Sequence, residues 1–272
     1  MAAHPSITVA VHGATGRMGR VLLNAIEHAH DLRLVGTASR STAIALTEAG
    51  EDARLHDTVE SMLAAERPDV VVDFSARDAV LPLARAAAQS GVDFVTGTSG
   101  LSPEILEELR AIADDHNIGV MVGPNFSLGA VVLERVAREA GRHFDHAEII
   151  EMHHAGKADA PSGSAMATAR TMVEARDGKA FTNAESRVVN VDDVRGGDIS
   201  GVAIHSVRLP GLMAHQQVLL GGPGETLTLR HDVIDRESYM PGVLLAIREV
   251  GNRHGQLTYG LGALLWPEQE GE

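Results

Sequence analysis

The sequence predicts an α/β fold, with an N-terminal doubly wound parallel sheet and a C-terminal α+β domain that contains a mixed or antiparallel sheet. Up to about residue 122, short apolar runs alternate with helical segments, which is typical of parallel strands joined by crossover helices. Val70–Phe74 is apolar except for Asp73, as expected of a strand covered on both faces. After residue 200, three strand-like runs follow one another without a helix, which indicates a second sheet.

The N-terminal half supplies the parallel sheet and its helices. Apolar and β-branched runs predict strands at Ile7–Val11, Leu32–Ala38, Val70–Phe74, Val92–Val95 and Ile118–Val122. Helical periodicity predicts helices at Met18–Ala29 and Ala79–Gln89. A further helix is expected after Ser102, because Ser at the N-cap, Pro103 at the first position and Glu104 in the first turn are typical of a helix start.

The C-terminal half has a different pattern. Helices are predicted at Leu128–Ala140, Ser162–Glu174 and Tyr239–Val250, and a loop rich in Gly and Asp at Asp177–Ser200. Strands are predicted at Ala147–Met152, Val202–Leu209, His215–Leu220 and Thr226–Asp232. We therefore expect a first domain of residues 1–127, completed by residues 236–272, and a second domain of residues 128–235.

Composition excludes several classes of function. The 272 residues contain no cysteine, so disulfides, thiolate metal sites and cysteine catalysis are excluded. No apolar stretch approaches the roughly 18 residues of a transmembrane helix, and the N-terminus does not resemble a signal peptide, so we expect a cytoplasmic protein. The net charge is −14 and no basic cluster is present, so neither nucleic acid nor a membrane is an expected partner. An anionic ligand would need a local site, made by a few basic side chains and helix N-termini.

A glycine-rich turn joins the first strand to the first helix. Gly13-Ala14-Thr15-Gly16-Arg17-Met18-Gly19 has the GxxGxxG spacing of a dinucleotide-binding turn in a Rossmann-like domain. Gly13 permits the tight turn, Gly16 lets the backbone approach a pyrophosphate, and Gly19 lets helix and strand pack closely. The unpaired N–H groups at the helix start would bind the pyrophosphate. The alternative is a glycine-rich turn without a ligand.

The second predicted strand ends at Ser39 and Arg40, where an NAD-selective domain usually carries Asp or Glu for the ribose hydroxyls. Arg40 can pair with a 2′-phosphate, which Ser39 does not repel. We therefore expect that NADPH is accepted and preferred to NADH, unless Arg40 is a solvated surface residue. Two later loops follow strands and are expected to line the nicotinamide pocket, Gly97-Thr98-Ser99-Gly100 and Gly123-Pro124-Asn125-Phe126.

The segment Glu151–Ala165 combines groups that move protons with groups that bind anions. His153 and His154 are adjacent, Lys157 follows, and Ser162-Gly163-Ser164 begins a predicted helix. Lys157 can reach back beside one histidine and donate a proton to a substrate nitrogen, and the helix start can present N–H groups and hydroxyls to a carboxylate. Adjacent residues of a strand point to opposite sides, so the two histidines are not expected to share a metal ion. His143 and His146 lack a third ligand at convincing spacing, and we expect no metal. The alternative for the whole segment is a capped helix preceded by two surface histidines.

Over nearly its full length the chain resembles the dihydrodipicolinate reductase family of lysine and diaminopimelate biosynthesis. The resemblance includes Gly13–Gly19, Gly97–Gly100, Asn125-Phe126-Ser127 and His205-Ser206-Val207-Arg208. Its most specific part is Glu151-Met152-His153-His154 followed by Lys157-Ala158-Asp159-Ala160-Pro161-Ser162-Gly163-Ser164-Ala165. The resemblance implies reduction of 4-hydroxy-tetrahydrodipicolinate to tetrahydrodipicolinate by NADPH or NADH, with loss of water.

The resemblance also implies roles for individual residues. His153 would be the acid/base residue, Lys157 the proton donor, and His154 a substrate contact, while Gly163 and Ser164 would bind a substrate carboxylate. The implied cofactor residues are Gly13, Ala14, Thr15, Gly16, Arg17, Met18, Ser39, Arg40, Gly97, Thr98, Ser99, Gly123, Pro124, Asn125 and Phe126. The family fold implies a mixed-sheet domain at the core of a homotetramer.

The chain departs from the usual family pattern at two places. Members usually carry Arg or Pro, then His, where this chain has Ala155-Gly156, so a polar contributor to the anion site is missing. Ser164 stands where Thr is usual and keeps the hydroxyl. The first departure leaves open a related Rossmann reductase that acts on a different imine or amino-acid-derived substrate. A nucleotide-binding protein without catalysis is a further alternative, against which the pairing of His153 with Lys157 argues.

Overall fold

The structure is a computed structural model that describes residues 6–38 and 54–267. It separates into two compact units. Unit 1 comprises Met1–Leu128 and Tyr239–Glu272, and unit 2 comprises Gly129–Ser238. Within the two described ranges, no helix has both the length and the apolar character needed to cross a membrane.

Unit 1 is a parallel sheet of seven strands in the order β12-β6-β5-β4-β1-β2-β3. Its strands are β1 (Ile7–His12), β2 (Leu32–Ala38), β3 (Arg54–His56), β4 (Val70–Asp73), β5 (Asp93–Thr96), β6 (Val120–Val122) and β12 (Leu257–Tyr259). Its helices are α1 (Arg17–Glu27), α2 (Val59–Glu66), α3 (Arg77–Gln89), α4 (Pro103–His116), α7 (Met240–Val250) and α8 (Gly262–Leu265). The doubly wound parallel sheet predicted from sequence is confirmed.

The central strands of unit 1 are buried because helices cover both faces of the sheet. One apolar cluster joins the sheet to α2, α3 and α4 and includes Val71, Phe94 and Leu109. Val9 and Val11 alternate with Ala10 along β1 and are also fully buried, as expected of a strand covered on both sides. Because β1, β4, β5 and β6 are parallel neighbours, their carboxyl ends meet at one edge, where a doubly wound sheet binds its ligand.

Unit 2 is a mixed sheet of five strands in the order β11-β10-β7-β9-β8. Its strands are β7 (His146–His153), β8 (Gly197–Ile199), β9 (Val202–Arg208), β10 (Ala214–Gly222) and β11 (Glu225–Val233). Its helices are α5 (Leu128–Gly141), which begins at the end of unit 1, α6 (Gly163–Glu174) and a short 3-10 helix at Arg236–Tyr239. Strand β7 is parallel to β9 and antiparallel to β10, so the predicted mixed sheet is confirmed.

Helices α5 and α6 cover the face of this sheet that carries the buried side of β7. Leu133, Ala169 and Met172 of the helices pack with Ile149 of the strand. Because side chains alternate along a strand, Glu151 lies on the same buried face as Ile149. The central strand of unit 2 therefore carries a carboxylate into an otherwise apolar interior.

Some short elements were not predicted. These are β3, α2, β12 and α8, together with β8, which lies inside the predicted loop Asp177–Ser200 and makes that prediction wrong at Gly197–Ile199. The strands β3, β8 and β12 are three residues long and lack an apolar run, and they form because a neighbouring strand offers its hydrogen bonds. Gly197, for example, pairs with Ile204 of β9.

Candidate active site

The predicted dinucleotide turn leads directly from β1 into α1. Gly13 has φ +81°, and a Cβ there would lie 2.7 Å from the Phe74 carbonyl oxygen, so only glycine fits without strain. A Cβ on Gly19 would lie 2.3 Å from the Gly13 carbonyl oxygen. Gly16 is the N-cap of α1 and, being glycine, brings no capping side chain to the first N–H groups of the helix. This backbone can accept a pyrophosphate, and the residues present fit a dinucleotide.

Asp73 organises the loops at this edge. It is fully buried at the end of β4 and accepts hydrogen bonds from the Ser75 hydroxyl (2.5 Å) and backbone N–H (3.1 Å). The hydroxyls of Thr96 and Thr98 also donate to it, at 2.9 and 3.1 Å, and the His12 ring bonds to it through Nδ1 at 3.0 Å. One carboxylate thus joins the ends of β1, β4 and β5. The sequence shows Asp73 inside an apolar strand but does not show its donors.

The two predicted pocket loops follow strands at the same edge. Thr98 is buried against Asp73, whereas Gly97 packs so closely on the Phe74 ring that a Cβ would lie 2.1 Å from it. Phe126 is buried and meets Phe74 edge-on, with ring centroids 6.1 Å apart. Between these buried residues, Ser99 and Pro124 are exposed and Asn125 is partly exposed. The first loop is therefore buried at its start and accessible at its end, and the second has buried ends and an accessible middle.

The remaining predicted cofactor residues divide into two groups. Ala14 is buried, Thr15 lies in the turn, and Arg17 and Met18 open α1. Ser39 and Arg40, on which the expected preference for NADPH depends, lie outside the residues that the structure describes.

In unit 2, His153 is held by a buried carboxylate. The ring contacts Oε2 of Glu151 through Nδ1 at 2.5 Å, and Glu151 is fully buried. Arg208 of β9 grips the same carboxylate with both terminal nitrogens, at 2.9 Å from Nη1 to Oε2 and 2.8 Å from Nη2 to Oε1. Ser162 donates its backbone N–H to Oε1 at 3.2 Å. This cluster of Glu151, His153 and Arg208 was not predicted, because Arg208 meets the other two only through the pairing of β7 with β9.

Ionisation within the cluster follows from burial and from these contacts. Burial lowers the pKa of His153 below its ordinary value, although the hydrogen bond to Glu151 opposes that change. The positive charge of Lys157 lowers the pKa of His153 further. Burial would raise the pKa of Glu151, but hydrogen bonds, with Arg208 foremost, hold it below the ordinary value. Near neutral pH the cluster therefore contains a carboxylate and a neutral imidazole.

Lys157 lies in the turn that follows β7. Its backbone N–H donates to the His154 carbonyl oxygen at 3.1 Å, and its ammonium pairs with Asp159 at 2.7 Å. The Asp159 carboxylate also accepts from the backbone N–H of Gly163, and its hydrogen bond from Lys157 is the foremost reason that its pKa is lowered. An internal carboxylate thus occupies the lysine and the helix N–H group that were predicted to bind a ligand.

The start of α6 differs in part from the prediction. Ser162 is buried and caps the helix by accepting from the Ala165 N–H at 3.3 Å, and its own N–H goes to Glu151. Its N–H and hydroxyl are therefore not presented to a ligand, which corrects the interpretation for that residue. Gly163 is exposed and Ser164 is partly exposed, so they remain accessible.

His154 and the two residues after it lie outside the strand. His154 is partly exposed, and Ala155 and Gly156 are exposed. A Cβ on Gly156 would lie 3.4 Å from the His154 ring, an ordinary van der Waals contact. Among residues 6–38 and 54–267, no group of three or more His, Asp or Glu side chains is arranged to hold a metal ion.

Two family models cover most of the chain. The model described as "Dihydrodipicolinate reductase, N-terminus" matches residues 7–126, and the one described as "Dihydrodipicolinate reductase, C-terminus" matches residues 129–265. Two proteins named "4-hydroxy-tetrahydrodipicolinate reductase" are similar along their lengths. The protein from Dehalococcoides mccartyi is 43% identical over 262 residues, covering 95% of this chain and 98% of the relative. The one from Synechococcus elongatus is 44% identical over 278 residues, covering 97% and 100%.

Solved structures give the same result. The structure described as "Dipicolinate bound Dihydrodipicolinate reductase from Paenisporosarcina sp. TG-14" has a TM-score of 0.84 and 36% identity, covering 94% of this chain and 98% of the other. An amine dehydrogenase from Mycobacterium smegmatis has a TM-score of 0.65 at 16% identity, which shows a shared fold alone. From the family models, the relatives and the shared architecture it follows that the chain belongs to the dihydrodipicolinate reductase family.

Proposed function

We propose that the chain reduces 4-hydroxy-tetrahydrodipicolinate to tetrahydrodipicolinate with a nicotinamide cofactor, releasing water, as a step of lysine and diaminopimelate biosynthesis. Membership of the reductase family supports the reaction class. The observation that carries the proposal is the grouping in unit 2 of a neutral imidazole, an ammonium and the accessible start of α6. These groups suit a dicarboxylate that must take up a proton.

The reaction combines a dehydration with a reduction. Loss of the 4-hydroxyl as water leaves a conjugated C=C–C=N system, and a nicotinamide cofactor held by the Gly13–Gly19 turn would supply a hydride for its far carbon. The electron pair displaced by the hydride is neutralised by one proton, so the balance is one hydride and one proton taken up and one water released. The protein must therefore hold two carboxylates and deliver a proton where negative charge develops.

Lys157 is the proposed proton donor, and the composition of the chain supports that role. Only two of its 23 lysine and arginine residues are lysine. A guanidinium binds carboxylates at least as well as an ammonium but does not release its proton in proteins. A lysine at position 157 therefore suits a step that needs proton transfer, and the charge of Lys157 is close enough to lower the pKa of His153.

The remaining roles in unit 2 are those that the family resemblance implies, and the accessibility of His154, Gly163 and Ser164 supports theirs. His153 is the acid/base residue and His154 is a substrate contact. Gly163 and Ser164 bind a substrate carboxylate at the start of α6, where backbone N–H groups favour an anion. The Lys157 ammonium adds a positive charge to this site. The substrate carboxylate then replaces Asp159 on Lys157 and Gly163.

Unit 1 is the proposed dinucleotide-binding domain. Gly13–Met18 would hold the pyrophosphate, and the loops Gly97–Ser99 and Gly123–Phe126 would line the nicotinamide end. Arg40 with Ser39 supports a preference for NADPH over NADH. Unit 2 would bind substrate and form the homotetramer, and we place the enzyme in the cytoplasm, where its cofactor is regenerated.

A coupled assay tests the proposed function. Pyruvate and aspartate semialdehyde are condensed by the preceding synthase, and NADPH oxidation is followed after addition of the purified chain. We expect substrate-dependent loss of NADPH, inhibited by dipicolinate, and a higher kcat/KM for NADPH than for NADH. Absence of substrate-dependent oxidation with either cofactor would exclude the reaction, and a higher kcat/KM for NADH would exclude only the cofactor preference.

A further inference from the structure

The fully buried Glu151 is bonded to two groups beside the proposed reaction. We propose that Glu151, held by Arg208, is a positioning residue. It fixes the His153 ring with its proton on Nδ1, so that Nε2 is the nitrogen available to the reacting groups. The inference rests on the proposed function and adds to it the group that sets the state of the reactive ring. The family resemblance assigns no role to Glu151 or to Arg208.

The geometry leaves Glu151 little freedom. Two residues before His153 on β7, it shares the buried face of the strand with the ring. Arg208 is the strand partner of His153 in the β7–β9 pairing, and its guanidinium forms two parallel hydrogen bonds with the carboxylate. The N–H of Ser162 adds a donor from the start of α6. The carboxylate is therefore fixed from β7, β9 and α6.

The ionised carboxylate decides the tautomer of the ring. An ionised carboxylate only accepts hydrogen bonds, so the nitrogen that lies 2.5 Å from it must carry a proton. Burial lowers the pKa of His153, the charges of Lys157 and Arg208 act in the same direction, and only Glu151 opposes them. The ring is therefore neutral at pH 7 and holds its single proton on Nδ1. Nε2 then carries a lone pair and accepts, while Lys157 donates.

Arg208 connects this cluster to the loop that carries Lys157. Besides gripping Glu151, its Nη2 donates to the Asp159 carbonyl oxygen at 2.6 Å, two residues after the lysine. The backbone N–H of Leu209 donates to the His153 carbonyl oxygen at 3.1 Å. The Arg208 guanidinium thus orients the proposed proton acceptor, His153, through Glu151. It orients the proposed proton donor, Lys157, through the loop that carries it.

The first test reads the ring directly in the unaltered enzyme. With 15N-labelled histidine, the NMR signals of His153 are assigned by their loss in His153→Gln and followed between pH 5 and 8. We expect a neutral Nδ1–H tautomer at pH 7. A neutral Nε2–H tautomer, or a protonated ring at pH 7, would overturn the proposal without any need for a Glu151 variant to fold.

The second test removes the charge of the carboxylate. Glu151→Gln keeps the size of the side chain, and we expect kcat to fall about 10²-fold at pH 7. NADPH affinity should stay within about two-fold, because the charge removed belongs to the proton-transfer step. The pH profile of kcat/KM should shift with the altered pKa of His153, a change that a merely structural role would not produce.

Glu148 provides a matched control. It also lies on β7 and is bonded to an arginine and a histidine, Arg195 and His205, but an odd spacing places it on the opposite face from Glu151. Glu148→Gln should leave kcat and its pH profile within about two-fold of the parent. Equal losses in both variants, or an active Glu151→Gln with an unchanged profile, would overturn the proposal. An unaltered chain that does not oxidise NADPH would instead exclude the proposed function.

Discussion

The two units each bury one carboxylate beside their predicted site, and the partners of the two carboxylates differ. Asp73 in unit 1 is bonded by hydroxyls, a backbone N–H and the His12 ring. Glu151 in unit 2 is bonded by a guanidinium, a backbone N–H, the Ser206 hydroxyl and the ring of His153. Hydroxyl and amide donors fix the ends of several strands, whereas a permanent cation also fixes charge. We infer that the proposed cofactor site depends on a fixed loop geometry and that the proposed substrate site also depends on a defined protonation state.

The largest expected effect tests whether residue 157 of unit 2 must be able to give up a proton. Lys157→Arg keeps the positive charge, but the guanidinium does not give up its proton, so kcat should fall about 10³-fold while dipicolinate still binds. Lys157→Ala should lose both turnover and dipicolinate affinity, with NADPH binding retained. Steady-state kinetics measures kcat, and calorimetry measures the affinities for dipicolinate and for NADPH.

The other lysine of the chain is the control for this prediction. Lys179 is exposed in unit 2, and Lys179→Arg should leave both kinetics and dipicolinate binding unaltered. Full turnover by Lys157→Arg would mean that residue 157 contributes charge alone, and the role of proton donor would have to be assigned elsewhere.

The next effect concerns stability and tests the charged side of the comparison. Arg208→Met leaves the buried Glu151 carboxylate without its cation, and the free energy of unfolding should drop by about 3 kcal/mol. Denaturant unfolding, followed by circular dichroism, measures the loss. Arg230→Met removes an exposed partner of Asp232 and should cost less than about 1 kcal/mol. Similar losses for the two variants would show that Glu151 does not depend on its guanidinium.

The corresponding change in unit 1 should be milder. Thr98→Val removes one hydroxyl donor from Asp73 and should lower the free energy of unfolding by about 1 kcal/mol. NADPH should bind several-fold more weakly because the Gly97–Gly100 loop loses that tie, while the pH profile of kcat/KM stays the same. Thr226→Val, on an exposed residue of unit 2, is the control. A shifted pH profile in Thr98→Val would mean that the contacts of Asp73 also affect protonation, and would contradict the difference drawn between the two carboxylates.

A smaller effect concerns the internal carboxylate at the proposed substrate site. Asp159→Asn removes the negative charge that holds the Lys157 ammonium, so dipicolinate should bind about two- to five-fold more tightly. The gain is limited because Asp159 is about half exposed and the pair is partly solvated. Titration calorimetry at low salt measures the change, with Asp235→Asn at an exposed position as control. Weaker binding in Asp159→Asn would mean that Asp159 supports the substrate site.

The smallest effect is the pH dependence of stability that His153 contributes. Its pKa is lowered in the folded state, so the unfolded chain binds a proton more readily. The contribution of His153 is therefore full above about pH 6.5 and decreases as the pH falls from there towards its folded pKa. His153→Gln should make the midpoint of thermal unfolding less dependent on pH in that window. If His153→Gln instead reduced the pH dependence of the midpoint above about pH 6.5, the pKa of His153 would be raised in the folded state.

The sequence predicts what local pattern encodes and misses what distant pairing creates. The strands β1, β2 and β4 were recognisable from apolar runs, and the start of α4 from the Ser102 cap, which the structure confirms. The short strand β3 carries Arg54-Leu55-His56, a polar sequence that forms a strand only because β2 offers its edge.

The candidate site divides in the same way. His153, Lys157 and the start of α6 could be predicted as one site because one segment contains them. Arg208 could not be assigned to Glu151, since the two are far apart in sequence and meet only through the β7–β9 register. Ser162 suited both a helix cap and a ligand contact, and only the structure shows that it serves as the cap.

That register also determines where the chain can vary in length. One added or deleted residue between Glu151 and His153, or between Ser206 and Arg208, would turn a member of the cluster to the opposite face of the sheet. The exposed turn at Ala155-Gly156 follows the end of the strand, so its side chains can vary, but its length sets the position of Lys157, whose N–H donates to the His154 carbonyl oxygen. Related chains are therefore expected to accept larger side chains in this turn, and to keep both the length of the turn and the spacing within the two strands invariant.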